Sequence, residues 1–127
     1  MQTLLFVYGT LKTGQRLHDA YIVDEEAVKV GEGYIDGYEL YVIEAVDLPL
    51  VVPANDKKVY GEVYVVGPEL LQRLDLLEGG YLREEAEFVC TTDRSGGSPY
   101  RVEVYVWSSA VGPAAKYIES GNYLGQV

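Results

Sequence analysis

The chain has 127 residues, with 20 acidic against 10 basic side chains and a formal net charge of −10. This length predicts one domain, residues 1–127, large enough to bury a stable core. The negative charge argues against nucleic acid or an anionic membrane as a partner, because both reward clustered Lys and Arg. One Cys and one His exclude an internal disulfide and a transition-metal site of the usual His and Cys type.

The composition also bears on where the protein works. We find no basic and apolar leader and no long apolar run, so we expect a soluble cytoplasmic protein. Asn, Gln, Cys and Met are scarce while Val and Glu are common, which is typical of proteins from thermophiles. No pattern in the sequence indicates an oligomeric state.

The first element is an apolar run that stops at a tight glycine turn. Residues 3–8 predict a strand buried on both faces. The G-x-x-x-x-G spacing from Gly9 to Gly14 has the skeleton of a phosphate-binding loop. Such a loop also requires Lys and then Ser or Thr after its second Gly, and here those positions hold Gln15 and Arg16. A nucleotide site is therefore not supported.

The turn itself leaves two interpretations open. Tyr8, Gly9, Thr10 and Leu11 follow a buried strand, so their backbone N–H groups are delivered to one point. Such a nest binds an anion such as a carboxylate. The alternative is a plain tight turn without a ligand.

The next part of the chain alternates between apolar and polar positions and predicts a series of strands. A short helix or turn over residues 15–22 precedes them. The Asp36-Gly37 dipeptide predicts a hairpin turn between two of them. We expect these strands at residues 28–34, 37–43, 50–52 and 58–66.

The clearest helix begins at Pro68, after Gly67, because Pro suits the first helical position. Leucines recur along it at helical spacing, and Gly79 and Gly80 are expected to end it in the left-handed conformation. Later elements are strands over residues 82–91 and 100–107, a hairpin loop over 93–99, a short helix over 113–119 and a tail over 121–127. Adjacent strands with few helices predict an antiparallel-rich α+β fold, with closure into a barrel as one option.

Glu78 is the candidate for acid–base chemistry. It is predicted at the C-terminal end of the Leu-rich helix, where the partial negative charge of the helix disfavours a carboxylate. In a cavity, burial and the helix end would both raise the pKa of Glu78, which suits a general base. Exposed to solvent, it would be a helix-terminal Glu without a role. Asp75, three residues earlier, is expected to be solvated on an exposed helix face.

Nucleophilic arrangements are not supported. A Ser–His–Asp set would have to use His18, and no Ser stands in a nucleophile-elbow motif. Cys90 shares a predicted strand face with Ala86 and Phe88, which favours core packing over a reactive thiol. No motif for a carboxylate-bound Mg site is present.

Four segments, in order, resemble the gamma-glutamylcyclotransferase-like family, and its gamma-glutamylamine cyclotransferase type in particular. They read FVYGTLKTGQ (6–15), VYGEVYVV (59–66), LQRLDLLEGGYLRE (71–84) and SGNYLG (120–125). They are similar to the family's Y-G-[ST]-L loop, V-x-G-x-[LV]-Y strand, L-D-x-x-E-G helix end with Y-x-R, and S-G-[DN]-W tail. GYELYVIEAVDLPLVVP (37–53) is similar too, so the resemblance spans nearly the whole chain.

The resemblance implies a small mixed, mostly antiparallel β-barrel with a few short flanking helices and a cavity at one side. It implies that the backbone of Tyr8, Gly9, Thr10 and Leu11 holds the carboxylate end of a γ-glutamyl group, with Glu78 as the catalytic acid and base. The implied reaction is of the lyase or acyltransferase type and converts a γ-glutamyl amine or amide to 5-oxoproline and a free amine. It needs no metal and no cofactor, and its partner is a small-molecule γ-glutamyl substrate.

The chain departs from the family at the substrate periphery. Only two Gly separate Glu78 from Tyr81, where many relatives carry a longer loop bordering the pocket mouth. The identity of the leaving amine therefore stays open. Tyr123 stands where the family has Trp, and EAVDLP lacks the Gly-Tyr that many relatives place before the Pro. Tyr81, Tyr105 and Tyr117 are candidates to line the cavity, with core packing as the alternative for each.

This altered periphery motivates a second hypothesis, a non-catalytic module of the same fold that binds small carboxylates. It predicts thermal stabilisation by such ligands but no product. A third hypothesis is a plain interaction protein in which the cavity is incidental. It predicts that Glu78→Gln changes neither ligand binding nor activity.

Overall fold

The structure, a computed structural model, describes residues 2–23, 27–92 and 99–123 as six strands and one α-helix with two short helical turns. The strands are β1 Thr3–Val7, β2 Val28–Ile43, β3 Leu48–Val66, β4 Tyr81–Cys90, β5 Tyr100–Trp107 and β6 Ala115–Ile118, and the helix is α1 Pro68–Leu77. The order is β3-β1-β5-β4-β2-β6, and a pairing of β2 with β3 closes the first five into a barrel. Only β1 and β5 are parallel among these described strands, so the mixed, mostly antiparallel β-barrel is confirmed.

The strand β1 lies between two apolar cores, as its continuous apolar run predicts. Phe6 packs in the barrel interior and is 1% exposed. Leu5 and Val7 belong to a second cluster, together with Leu70 and Leu74 of α1. Burying an aliphatic or aromatic side chain stabilises a fold by about 1.5–3 kcal/mol. Because both of its faces are buried, β1 is held firmly in the fold and fixes the position of the loop that follows it.

The Asp36-Gly37 prediction is wrong, because these residues lie inside one continuous strand. β2 runs through them, and Gly37 has a φ of +88° at an irregularity in the pairing with β3. Opposite it, β3 has four unpaired residues, 54–57, where β2 has only Gly37. A bulge and a hairpin turn both use a positive φ, so the same dipeptide suits either. The hairpin between β2 and β3 is made instead by the 3₁₀ turn Glu44–Val46 and Asp47, whose φ is 49°.

The predicted helix over residues 113–119 is wrong as well. Those residues contain β6, which pairs antiparallel with the end of β2. That part of β2 extends past its pairing with β4, so it offers an open sheet edge. Tyr117 then packs against Tyr41 with ring centroids 5.5 Å apart. Pairing with an open edge outweighs the weak helical propensity of so short a segment.

The helix α1 forms as predicted at its start and differently at its end. Gly67 is the N-cap residue, and Pro68 occupies the first helical position. Neither Gly79 nor Gly80 has a positive φ, so the predicted left-handed end is wrong. Gly80 packs closely against Trp107 instead, because a Cβ there would lie 3.0 Å from the Trp107 ring, which is tighter than an ordinary contact. Among the described residues, no helix is long and apolar enough to span a membrane.

Other predictions hold in part. The predicted helix or turn over residues 15–22 is a series of turns that continues into a π-helix, Asp19–Val23. Strands 50–52 and 58–66 are parts of one strand, β3. Most of the hairpin loop predicted over 93–99 and the end of the tail, 124–127, lie outside the described residues.

Candidate functional site

A cavity of about 40 Å³ opens where β1 ends, between the loop that follows it and the end of α1. Its lining combines apolar side chains with one carboxyl group and three tyrosines. It is lined by Phe6, Val7, Tyr8, Gly9, Thr10, Leu11, Leu48, Pro49, Glu78, Tyr81 and Tyr105. One cavity therefore brings together the predicted acid and base, Glu78, and the predicted substrate-binding residues Tyr8, Gly9, Thr10, Leu11 and Tyr81.

The turn after β1 directs its polar backbone atoms in two ways. The carbonyl oxygens of residues 9–11 accept hydrogen bonds within their own loop, from Lys12 N–H, Leu17 N–H and His18 Nδ1 in that order, at 2.9–3.0 Å. The N–H groups of residues 9–11 donate to no other described residue. Gly9 is required here, because a Cβ would overlap the ring of Pro49. Free donors beside a cavity are a nest for an anion.

Glu78 lies opposite this turn, directly after the last residue of α1. Its N–H donates to Leu74 O at 2.8 Å, and Tyr81 N–H donates to Glu78 O at 3.0 Å, so the backbone turns straight from helix to β4. Burial raises the pKa of Glu78 to about 7, and the positive charge of Arg16 opposes this only in part. No donor among the described residues hydrogen-bonds its carboxylate. A carboxyl group with a pKa near neutrality can both take and return a proton.

Two of the cavity tyrosines are held by backbone carbonyls, and the third, Tyr105, by the carboxylate of Asp75. Tyr8 OH donates to Tyr105 O at 2.8 Å, and Tyr81 OH donates to Pro49 O at 2.6 Å. Burial raises the pKa of Tyr8 and of Tyr81, and the nearby charge of Glu78 adds to both. These phenols are therefore neutral at physiological pH. Tyr117, the remaining predicted candidate, does not line the cavity.

Arg16 and Asp47 lie beside the cavity and were not predicted as site residues. Arg16 Nε lies 3.6 Å from Asp47 Oδ2, and Tyr123 OH donates to Asp47 Oδ1 at 2.5 Å. Asp47 immediately precedes the lining residue Leu48. Its left-handed φ of 49° is uncommon for a residue other than Gly and is often found at functional sites. The sequence signal available for Arg16 was its place just after the Y-G-T-L motif.

Asp75 lies on an exposed face of α1, as predicted, but the expectation that it is only solvated is wrong. Its Oδ1 accepts hydrogen bonds from Arg83 Nε at 2.8 Å and from Tyr105 OH at 2.7 Å. Its Oδ2 accepts a third, from Arg83 Nη2 at 3.1 Å. Asp75 therefore ties the last turn of α1, which leads into Glu78, to β4 and β5. Its spacing to Arg83 within LQRLDLLEGGYLRE was the available signal.

Neither His18 nor Cys90 lines the cavity. His18 is engaged with the carbonyl of Leu11, and Cys90 packs against the barrel core as predicted. Across residues 2–23, 27–92 and 99–123, no three His, Cys, Asp or Glu side chains are grouped so that they could hold a metal ion.

Comparisons with known proteins agree with one another. The family model described as Gamma-glutamyl cyclotransferase, AIG2-like matches residues 5–125. Gamma-glutamylaminecyclotransferase of Homo sapiens is 31% identical over 123 residues, 87% of this chain and 80% of that protein. Gamma-glutamylaminecyclotransferase B of Danio rerio is 36% identical over 81 residues, 59% of this chain and 42% of that protein, so the match spans less than half of that relative. The crystal structure of an AIG2-like protein from Mus musculus has a TM-score of 0.79 at 26% identity and covers 93% of this chain and 86% of that one.

Proposed function

The chain belongs to the gamma-glutamyl cyclotransferase, AIG2-like family, and from the geometry of its cavity we propose that it converts a γ-glutamyl amine or amide to 5-oxoproline and a free amine. Glu78 is the acid and base of this reaction. Tyr8, Gly9, Thr10 and Leu11 hold the substrate. The observation that carries the proposal is that Glu78 and residues 9–11, whose N–H groups donate to no other described residue, line the same cavity.

Substrate binding begins at the turn after β1. The α-carboxylate of the γ-glutamyl group accepts hydrogen bonds from the N–H groups of residues 9–11, which the fold leaves without another acceptor. Hydrogen bonds to a charged acceptor are about twice as strong as those to a neutral one, so these donors favour a carboxylate. Tyr81 and the apolar lining close over the methylene groups. The chain of the substrate is then folded back, with its α-amine near its γ-carbonyl.

Glu78 moves the protons. Its carboxylate takes a proton from the α-ammonium, and the freed amine attacks the γ-carbonyl carbon. The C–N bond to the leaving group breaks as Glu78 gives the proton to the departing nitrogen. In total the ring nitrogen loses two protons and the leaving amine gains two, so Glu78 ends as it began. Because the attack is intramolecular, holding the folded conformer supplies much of the rate enhancement, and a positioned acid and base contributes roughly 10²–10⁴-fold.

The periphery of the cavity decides the leaving amine. The two-Gly connection from Glu78 to Tyr81 is short, and Arg16 with Asp47 lies beside it. These residues contact the part of the substrate beyond the scissile bond. The substrate panel described next therefore identifies which leaving group the protein prefers, an amino acid, the ε-amine of lysine or a simple amine.

The test is release of 5-oxoproline, measured by mass spectrometry. The panel contains γ-glutamyl dipeptides, γ-glutamyl-ε-lysine, glutathione and γ-glutamyl monoamines. Glu78→Gln keeps the shape of the side chain but cannot carry a proton, so we expect a loss of at least about 10²-fold in kcat. Glu69→Gln, an exposed position on the same helix, is the matched control and should retain activity.

Two results would contradict the proposal. Turnover by Glu78→Gln at the rate of the Glu69→Gln control would remove Glu78 from the reaction. No release from any substrate, combined with thermal stabilisation by small carboxylates, would instead support the carboxylate-binding module.

A further inference from the structure

Glu62 is the only charged residue that is buried among residues 2–23, 27–92 and 99–123, with 8% exposure. It lies on β3 and does not line the cavity. Burying an ionised carboxylate is unfavourable unless it is paired and hydrogen-bonded. Its position therefore requires an explanation that the acid–base chemistry of Glu78 does not supply.

One partner of Glu62, Thr13, belongs to the loop that follows β1, and the others, Tyr64 and Lys29, lie on β3 and β2. Its Oε1 accepts hydrogen bonds from Thr13 N–H at 2.9 Å, Thr13 Oγ1 at 3.0 Å and Tyr64 OH at 2.9 Å. Lys29 Nζ lies 3.6 Å from the other oxygen. Burial opposes ionisation, but the bonds from Thr13 and Tyr64 together with Lys29 outweigh it and lower the pKa of Glu62. The group is thus a carboxylate at neutral pH.

Thr13 follows the free N–H groups by two residues. Lys12 N–H donates to Gly9 O at 3.0 Å, so residues 9–12 form a turn that ends directly before Thr13, the residue bound to Glu62. Tyr64 adds a second attachment, because its ring packs against His18 with centroids 5.9 Å apart. His18 in turn contacts Leu11 O through Nδ1. The loop is therefore tied to β3, a barrel strand, on both sides of its turns.

We propose that Glu62 is a positioning residue that holds the loop of residues 9–13 so that the free N–H groups of residues 9–11 face the cavity, and so sets the affinity for the substrate carboxylate. This inference rests on the proposed function, because it assigns the loop to the carboxylate of a γ-glutamyl substrate. Glu62 itself contacts no substrate and takes no part in proton transfer. Its effect is therefore on binding, which is the same in the ground state and the transition state.

The test is Glu62→Gln, which preserves size and an acceptor oxygen but removes the charge. Neutral acceptors bind their donors about half as strongly as charged ones, so the turn is held less firmly. We expect KM for the best γ-glutamyl substrate to rise about fivefold while kcat stays within about twofold. A loss of uniform binding has this signature, whereas a general loss of folded protein lowers the apparent kcat.

Glu32→Gln is the matched control. Glu32 pairs with Glu62 across the β2–β3 ladder and contacts the same Lys29 at 2.9 Å, but it is exposed and accepts no hydrogen bond from Thr13. Its replacement should leave KM unchanged. Tyr64→Phe is the second variant, in case Glu62→Gln does not fold. It removes one donor to Glu62 and should raise KM about twofold.

Hydrogen exchange separates failure of this inference from failure of the proposed function. We expect the hydrogen-bonded amides of Lys12 and Thr13 to exchange about tenfold faster in Glu62→Gln than in the wild type, while amides of β4 are unchanged. If the wild type forms no 5-oxoproline, the proposed function fails and the exchange result alone decides the role of Glu62. Unchanged KM and unchanged exchange in Glu62→Gln, or equal effects in Glu32→Gln, would overturn the inference.

Discussion

Glu78 destabilises the fold when it is ionised, and its replacement by Gln should reveal by how much. Burial raises its pKa from 4.5 to about 7. An acid whose folded pKa lies above its unfolded pKa destabilises the fold as the pH rises between the two values, and the full effect is present above about 7. Gln mimics the protonated carboxyl group, so Glu78→Gln should stabilise the protein at high pH.

The magnitude follows from the same values. Raising the pKa from 4.5 to about 7 corresponds to about 3 kcal/mol, at about 1.4 kcal/mol per pH unit. Because Glu78 is partly exposed, solvent screening reduces this to about 2 kcal/mol. For 127 residues that is a rise in Tm of about 7 °C. At pH 5 only about one quarter of the stabilisation of Glu78→Gln over the wild type should remain.

The assay is thermal unfolding of the wild type and Glu78→Gln at pH 8.5 and pH 5, without ligand. Glu87→Gln, at an exposed position on β4, is the control for removing one negative charge from an acidic protein. It should raise Tm only slightly at both pH values. A Glu78→Gln effect that is absent at pH 8.5, or equal at both pH values, would refute the reasoning.

Two further predictions concern catalysis. kcat/KM should rise with pH through a midpoint near 7, because Glu78 must lose its proton to act as a base. Arg16→Gln removes the positive charge that lowers the pKa of Glu78, so it should move this midpoint upward by a few tenths of a pH unit at low salt. A downward move would contradict the role of Arg16. Asp75→Asn should lower kcat about threefold to tenfold with little change in KM, because the last turn of α1 loses charged hydrogen bonds to β4 and β5. Unchanged kcat in Asp75→Asn, measured beside wild type at saturating substrate, would show that Glu78 is held without it.

The elements that the sequence predicted correctly are those in which local and tertiary preferences agree. β1 has apolar residues at every buried position, and both of its faces are covered in the fold. At the start of α1, Gly67 and Pro68 have the residue types that a helix N-terminus prefers, and they lie there. Such segments need no information from distant parts of the chain.

The errors have a shared physical origin. Gly37 supplies a positive φ, but whether a strand turns or bulges there depends on the length of the partner strand, which local sequence does not contain. The segment containing β6 adopts strand conformation because β2 extends past β4. Asp75 has partners 8 and 30 residues away, so its network depends on β4 and β5 being in place. Each miss is a case of tertiary context overriding local preference.

For the site, the sequence predicted the candidate groups, Glu78 and the loop after β1, but not the contacts that keep these groups apart. The Glu78 carboxylate and the free N–H groups of residues 9–11 are complementary, and a direct hydrogen bond between them would satisfy both. The fold prevents that bond. The turn from α1 into β4 fixes Glu78 on one wall, and the tether from Thr13 to Glu62 fixes the loop on the other. In the proposed reaction, a ligand with a carboxylate at one position and an ammonium nearby would satisfy both walls at once, and this separation would leave Glu78 free to accept a proton.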